Sequence, residues 1–566
     1  MGGDVKNMAE TLDDNYLLDG DLHYDRSTNR IRISTHLINA GNGYIMWAET
    51  FEDDFENIQD IQEDVNRKVT SRLRVQLLPE EDKALSRKIA ENSEAYRLYM
   101  EAREYGQKRT EPDLKKAIEL ANQALELEPN FAEAHAALSN FYGLRVGYGN
   151  LSKKDRDHFQ ELHLKKAMEI APNLPEVLQA KAARNMWSFR DTTDVVKDMR
   201  RAIEQKPNYV EAHYNLYNAL LWREDWELAR KSLEKVLQLD PGNNFYTAML
   251  AKSLFWQYKE HDKAIALIDR QLLINPDAPN ANRLALFKSL FIVEAYGDLV
   301  ESFKIKHREL KKNPTERWNL NYGLLGALGV DLLPWSEKLG RTIQLEYADT
   351  WAIYNNIGSI YAYKGEYEAY LELVNYSVQK EWIDEKEGAL GRSWANLMLG
   401  HPIVALEIFE EELVKYKDES ILSEKLEESD VEYWLQYVDL LRITGQAEKA
   451  NRFAQKFCEY TQSVLEDPNS GNPYGKRASL DCYYLSDQLK EFIKTMDDIL
   501  HDKKYHIFWF GDMKFRRYIR FEEYTEYQRI FKTTEAEVHR QRAEVIEYLK
   551  EEGDWDAAWD EELGLD

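Results

Sequence analysis

The chain has 566 residues, of which 101 are acidic and 74 are basic, and its formal net charge is −27. Nucleic acid and anionic lipid both require a cationic surface, so this charge disfavours them and favours basic or neutral-polar partners. Hydrophobic residues make up 43% of the chain and aromatic residues 12%, which argues against global disorder.

The cysteine content and the hydropathy suggest a compartment. Cys458 and Cys482 are the only cysteines, too few for a disulfide framework or a zinc cluster, so a reducing compartment is the simpler expectation. No stretch offers the roughly 18 consecutive apolar residues that a membrane helix requires. The first fifteen residues also lack the pattern of a secretory signal. We expect a cytoplasmic protein, or a periplasmic one if a membrane segment precedes this sequence.

The first ninety residues have the pattern of a small α+β segment. NYLLDGDLHYD, RIRISTHLIN and GYIMWAETF are rich in β-branched and aromatic residues, and the turn sequences DRSTN and AGNG separate them. They predict three antiparallel strands. Apolar residues then recur at helical spacing, which predicts a helix that covers the sheet: Ile58, Ile61, Val65, Val69, Leu73 and Leu77.

Several residues of this segment carry a family likeness: Leu18, Asp19 and Gly20, then Arg30 and Ile31, then Trp47, and the helix after Phe55. Residues 1–91 resemble the second half of the TolB-like domain that precedes tetratricopeptide arrays in bacterial adenylate cyclases, winged-helix regulators and some protein kinases. The strand and helix that open that domain have no counterpart here, so one sheet edge should be exposed. We expect the first sixty residues either to pair with another chain, for which a homodimer is one arrangement, or to be unusually mobile.

Six prolines punctuate the middle of the chain: Pro129, Pro172, Pro207, Pro241, Pro276 and Pro314. The steps between them are 43, 35, 34, 35 and 38 residues, and a period near 34 is typical of helix-turn-helix repeats that stack into a solenoid. Small residues keep the same register, since Ala124, Ala167 and Ala202 each lie five residues before a proline. A similar pattern continues to about residue 460, without prolines at that period.

These aromatic, leucine, glycine, alanine and proline positions resemble the tetratricopeptide repeat family over residues 92–460, or about nine or ten helical hairpins. The resemblance implies a mainly α fold, an α-α superhelix whose concave groove binds a peptide or protein segment. Residues 461–566 are predicted to form a helical cap with an acidic tail. The last sixteen residues hold eight acidic side chains and no basic one, and they are either a solvated tail or a docking motif built on Trp555 and Trp559.

The common catalytic signatures are missing from the sequence. It has no Walker loop, no dinucleotide fingerprint, no H-E-x-x-H, no nucleophile elbow and no paired C-x-x-C. His158 and His163 are five residues apart, which does not place two ligands on one helical face. We therefore expect no metal, no cofactor and no enzymatic activity.

Aligning the repeats on their prolines places three tryptophans, Trp187, Trp222 and Trp256, at one position, 35 and 34 residues apart. Polar and aromatic residues precede or flank them at helical spacing and complete a predicted peptide-binding groove: Arg184, Tyr214, Asn218, Arg223 and Lys252. The alternative is that the tryptophans pack between repeats, as large aromatic residues more often do.

The pattern as a whole favours a non-enzymatic scaffold or sensor that binds a protein or peptide in bacterial signalling or regulation. The alternative is a regulatory subunit of a split enzyme, with an adenylate cyclase or kinase catalytic domain on a separate chain.

Overall fold

A computed structural model of the chain describes residues 16–25, 27–39, 44–73, 87–148, 151, 153–189, 192, 194–223, 225–276, 278, 280–346, 351–413, 431–466, 475–501 and 518–565. The chain divides into two compact units, Met1–Tyr246 and Thr247–Asp566. The elements of each unit are given separately below.

The first unit opens with a three-stranded antiparallel sheet of order β1-β2-β3. Its elements are β1 (Tyr16–Asp25), β2 (Arg30–Asn39), β3 (Ile45–Asp54) and the helix α1 (Ile58–Arg72). This confirms the expected strands and the helix that follows them. Leu77, assigned to that helix from the sequence, lies outside the described residues.

The strand β1 forms an edge of this sheet. Ile31, Phe55, Ile58 and Ile61 are buried in a core shared with the first helical hairpin. No described strand pairs with the outer edge of β1. The side chains of that strand are largely exposed, and Leu22 is 63% exposed.

The rest of the first unit consists of four consecutive helix pairs: α2 (Ser93–Lys108) with α3 (Glu111–Leu127), α4 (Ala132–Tyr148) with α5 (Lys153–Ile170), α6 (Pro175–Phe189) with α7 (Val195–Gln205), and α8 (Val210–Trp222) with α9 (Trp226–Leu239). Side-chain caps start the first pair, since Asn92 accepts hydrogen bonds from two backbone amides of α2 and Thr110 accepts one from α3. Ala117 and Ala121 are fully buried, so these helices approach closely.

The second unit continues the same pairing, from α10, which begins just before the boundary. The pairs are α10 (Asn244–Lys252) with α11 (His261–Ile274), α12 (Ala281–Tyr296) with α13 (Leu299–Lys312), α14 (Arg317–Gly329) with α15 (Leu333–Glu346), α16 (Trp351–Lys364) with α17 (Tyr367–Gln379), α18 (Glu385–Met398) with α19 (Pro402–Glu412), α20 (Val431–Ile443) with α21 (Ala447–Glu466), and α22 (Gly475–Leu485) with α23 (Leu489–His501). A π-helical turn, Ser253–Gln257, extends α10.

The fold is mainly α, an array of antiparallel helical hairpins behind a small α+β segment, as the proline period predicted. Among the described residues, ten hairpins run from α2 to α21, and the pair α22 and α23 lies beyond residue 460. The boundaries at residues 91 and 460 stay predictions. None of the described helices combines the length and the hydropathy of a membrane-spanning segment.

Two features of the C-terminal region correct the sequence expectations. Cys458 and Cys482 form a disulfide, with Cα atoms 5.1 Å apart, so the two cysteines are not free thiols. They meet because α21 and α22 pack against each other. Beyond the hairpins, the helices α24 (Thr525–Glu551) and α25 (Ala558–Glu562) follow, and Trp559 in α25 is only 8% exposed, which is not the state of a fully solvated tail.

Candidate functional site

The predicted groove residues have three kinds of surroundings. Tyr214 and Asn218 are buried in α8, where Asn218 Nδ2 donates a hydrogen bond to the Tyr214 carbonyl over 2.9 Å. At the end of the same helix, Trp222 is 38% exposed and Arg223 is also exposed. Arg184 Nη2 lies 3.0 Å from Glu161 Oε2.

In the second unit, Lys252 and Trp256 lie together. The Lys252 Nζ is 5.4 Å from the Trp256 ring centroid, and Trp256 Nε1 donates a hydrogen bond to Glu294 Oε2 over 2.6 Å. Burial raises the pKa of Glu294, and the Trp256 donor opposes that effect. Trp187 is within α6, but its side chain lies outside the described residues.

A second set of residues, absent from the sequence prediction, converges in the first unit. We call it the inner cluster, and it consists of Tyr99 and Arg103 of α2, Glu133 of α4, Glu176 of α6, Tyr209 before α8, and Glu211 of α8. Arg103 Nη2 lies 3.3 Å from Glu211 Oε1, although 108 residues separate them. The first helix of the first hairpin therefore contacts the first helix of the fourth.

Each glutamate of the inner cluster has a cationic partner. Glu176 Oε1 lies 2.9 Å from Lys206 Nζ, and Glu133 is paired with Arg87. All three glutamates lie in the first turn of a helix, where the helix dipole favours a negative charge. The same positions thus stabilise the helices and bring three carboxylates into one cluster, in which Glu133 is buried.

Burial sets the protonation behaviour of this cluster. It raises the pKa of Tyr99, and it raises the pKa of Glu133 despite the nearby Arg87. Burial would also raise the pKa of Glu176, but Lys206 overcomes this effect and lowers it. The Arg103 guanidinium keeps its proton, because Tyr99 and Glu211 raise its pKa. The inner cluster is therefore an enclosed group of charged and hydrogen-bonding side chains.

The sequence does contain a signal for the glutamates. Glu133, Glu176 and Glu211 each lie four residues after the proline of their repeat. When the repeats are aligned on their prolines, a recurring acidic residue indicates these glutamates. The recurring tryptophan does not indicate them. The contact between α2 and α8 has no such signal, because it depends on how three intervening turns orient the hairpins.

One further polar group lies on α8, between Glu211 and Trp222. Asn215 is 4% exposed, and its Nδ2 has no hydrogen-bond partner among the described residues. A buried amide donor without a partner is uncommon and suggests a missing acceptor.

The described residues include one group with the composition of a metal site. The ligand atoms of His307, Glu552 and Asp554 lie within 4.8 Å of one another. Lys311 Nζ lies 2.9 Å from Glu552 and 3.1 Å from Asp554, so an ammonium group of the chain already neutralises these carboxylates. The expectation of no metal and no cofactor stays a prediction.

Comparison with other proteins gives partial likenesses. No protein-family model matches the chain. Over 136 residues it is 30% identical to a protein of Rhizobium meliloti (strain 1021) described as "Putative adenylate cyclase 3". That match covers 24% of this chain and 23% of the relative, so the chain spans less than a quarter of the relative's length.

Among solved structures, a tetratricopeptide repeat protein from Parabacteroides merdae ATCC 43184 is 14% identical and covers 45% of this chain and 92% of its own, with a TM-score of 0.33. Pseudomonas aeruginosa pilF is 14% identical and covers 46% and 94%, with a TM-score of 0.25. YrrB, described as a TPR protein with an unusual peptide-binding site, is 15% identical and covers 34% and 95%, with a TM-score of 0.23. At these TM-scores the likenesses say nothing about function.

Proposed function

We propose that this chain is a non-enzymatic scaffold of tetratricopeptide type that binds a basic peptide or protein segment on the inner cluster of the first unit. The observation that carries the proposal is the convergence of three glutamates from successive hairpins with Arg103. Basic side chains of a partner would displace Arg87, Arg103 or Lys206 from their carboxylates. The Arg103–Glu211 pair, in which both side chains are about 30% exposed, is weak enough to exchange.

The predicted groove extends this surface. Trp222 and Arg223 lie at the other end of α8 from Glu211, about 17 Å away along the helix. A segment of five or six extended residues would reach from the carboxylates to the indole ring. Asn215 lies between them, and its Nδ2 would donate to a backbone carbonyl of such a segment.

Selection from a random peptide library on the immobilised full-length chain tests the proposal. We expect lysine- and arginine-rich peptides to be enriched, and Glu211→Gln to weaken the best of them about tenfold, since a charge-assisted hydrogen bond contributes roughly 1.5–3 kcal/mol. Glu227→Gln is the matched control, because the Glu227 side chain is 76% exposed on α9. Enrichment of acidic or purely apolar peptides would refute the proposed charge preference.

A regulatory subunit of a split adenylate cyclase is the second candidate, and the likeness to the Rhizobium protein favours it. The sequence resemblance of residues 1–91 to the TolB-like domain of bacterial adenylate cyclases is a second reason to name this candidate. In both candidates the purified chain forms no cyclic AMP from ATP. Cyclic AMP formation by the chain alone would overturn both.

The exposed edge of β1 supports a homodimer as part of this proposal. A two-fold axis at Gly20 would place Leu18 opposite Leu22 of the second copy and continue the sheet across six strands. We expect sedimentation velocity to show a concentration-dependent dimer that Leu22→Lys abolishes. Leu273→Lys is the control, because Leu273 is 84% exposed on α11 and should leave the dimer intact. A monomer at all concentrations would contradict the pairing.

The disulfide, rather than the hydropathy, supports our proposal for the compartment. Disulfides persist in oxidising compartments and are rare in the cytosol, so the Cys458–Cys482 pair favours the periplasmic alternative over the cytoplasmic expectation.

A further inference from the structure

The long helix α24 connects the last hairpin of the second unit with hairpins near its beginning. Near its start, the Tyr527 ring packs 6.3 Å from Phe492 of α23, and Arg529 pairs with Asp497 over 2.7 Å. Its 27 residues span about 40 Å at the rise of an α-helix. Its second half therefore reaches α13 and the turn before α15.

Specific polar contacts hold that second half. Gln541 is 5% exposed, donates to the Gly297 carbonyl over 3.1 Å and accepts from the Leu299 amide over 2.9 Å. His539 and Arg542 contact Asp331 over 2.8 and 3.2 Å. The helix α24 is thus an integral part of the second unit.

The acidic tail that follows α24, residues 552–565, lies on a surface of opposite charge. We call this the tail surface, and it consists of His307 and Lys311 of α13 with Trp335 and Lys338 of α15. Its α13 half binds carboxylates: Lys311 contacts Glu552 and Asp554, and His307 Nε2 lies 3.2 Å from Asp554 Oδ2.

The α15 half of the tail surface binds an indole. The Trp559 ring lies edge-on to Trp335, with centroids 5.8 Å apart, and Trp555 packs 5.2 Å from Trp559. The Lys338 ammonium lies 4.6 Å from the Trp335 centroid and 5.7 Å from that of Trp559. Cation–π attraction and edge contacts therefore select an aromatic residue flanked by acids.

Two observations distinguish this contact from a terminal cap. A solenoid cap covers the face of the last repeat, whereas this tail lies on hairpins near the start of the second unit. Trp559 is also the single buried residue of the five in α25, and the tail's carboxylates are at least partly exposed. The segment is held by Trp559, by the partly buried Trp555 and Leu563, and by ion pairs that solvent partly screens.

We propose that the tail surface is a docking site for an acidic segment with two tryptophans four residues apart, and that residues 552–565 are its resident occupant. A partner segment of the same chemistry would bind when the tail opens. Because the tail is tethered, it competes at an effective concentration in the millimolar range, so the free surface is exposed only part of the time. The proposal uses residues of the second unit alone and does not rest on the inner cluster.

A fluorescein-labelled synthetic peptide of residues 552–566, titrated against the full-length chain, tests the proposal by anisotropy. Trp559→Ala should bind the peptide at least tenfold more tightly than the wild type, because its own tail no longer competes. Leu565→Ala, a change at a residue that is 43% exposed in the same tail, should behave as the wild type. Combining Trp559→Ala with Lys338→Glu should abolish the gain.

Equal affinity for the wild type and for Trp559→Ala would overturn the proposal, and so would no binding to Trp559→Ala. If circular dichroism shows that Trp559→Ala is unfolded under native conditions, the tail belongs to the core of the fold. That result would also overturn the proposal. Lys311→Glu provides a second variant, since Lys311 is 46% exposed and removes no packing. It should increase deuterium uptake in residues 552–565 while leaving α24 protected, and unchanged uptake would count against a releasable tail.

Discussion

Trp222 and Trp256 occupy equivalent positions in the proline-aligned repeats but have different surroundings. Trp256 is half-buried against Phe291 and donates to Glu294, whereas Trp222 is 38% exposed at the end of α8. Period and residue type are the same at both positions, so the sequence could not separate a packing role from a binding role. The difference comes from which side chains the next hairpin presents.

We expect Trp222→Ala to weaken binding of a partner peptide while leaving the free energy of unfolding within about 1 kcal/mol of the wild type. Trp434→Ala is the reference, because Trp434 is 1% exposed and should lose roughly 3–5 kcal/mol. Urea denaturation and peptide titration of both variants give the comparison. If Trp222→Ala lowers the free energy of unfolding as much as Trp434→Ala does, Trp222 packs in the core and has no binding role.

A histidine pair in the second hairpin should make stability depend on pH. The Nδ1 atoms of His135 and His163 lie 3.1 Å apart, and Tyr142 stacks on His163. Burial, with a smaller contribution from His135, lowers the pKa of His163 to about 4. The unfolded state therefore takes up a proton that the folded state excludes, and stability falls as the pH drops from about 6.5 to about 4.

The expected loss from this pair is on the order of 1–2 kcal/mol, because the half-buried site is partly screened by solvent. His163→Gln should flatten the pH dependence of the urea midpoint between pH 7 and pH 5. His158→Gln, at an exposed position of the same helix, should keep the wild-type slope. An unchanged slope in His163→Gln would show that the pair is not the titrating element.

At the scale of elements, the sequence predicted the strands and hairpins better than it predicted which elements contact each other. Alternation and turn residues predicted the three strands, and the proline period predicted the hairpins, because both features depend on residues close in the chain. The disulfide was not expected, since pairing two cysteines 24 residues apart requires knowing that α21 and α22 are neighbours. The position of Trp559 on Trp335 depends on the path of α24 for the same reason.

The Cys458–Cys482 bond should stabilise the packing of α21 against α22. Closing a loop of 24 residues is worth about 3 kcal/mol in the chain-entropy treatment. Reduction should therefore lower the melting temperature of the wild type and leave the Cys458→Ser/Cys482→Ser double variant unaffected. Peptide mass spectrometry without reduction should recover the linked peptides, and two thiols freely alkylated in the native protein would contradict the pairing.

At the scale of the whole chain, the class of fold was predictable and the site was only partly so. The glutamate four residues after three of the six prolines was visible, but its meaning was not, because Arg103 lies in the first hairpin and Glu211 in the fourth. The distance between Arg103 and Glu211 depends on the orientation of every hairpin between them. Nor does the composition mark the division between residues 246 and 247.

Hydrogen–deuterium exchange of the full-length chain, with and without a selected basic peptide, tests the proposed interaction surface most directly. We predict that the peptide slows exchange in the first turns of α4, α6 and α8 and around Arg103 of α2, and that Glu211→Gln removes this protection. Protection confined to β1, or to residues 552–565 and the tail surface, would contradict binding at the inner cluster.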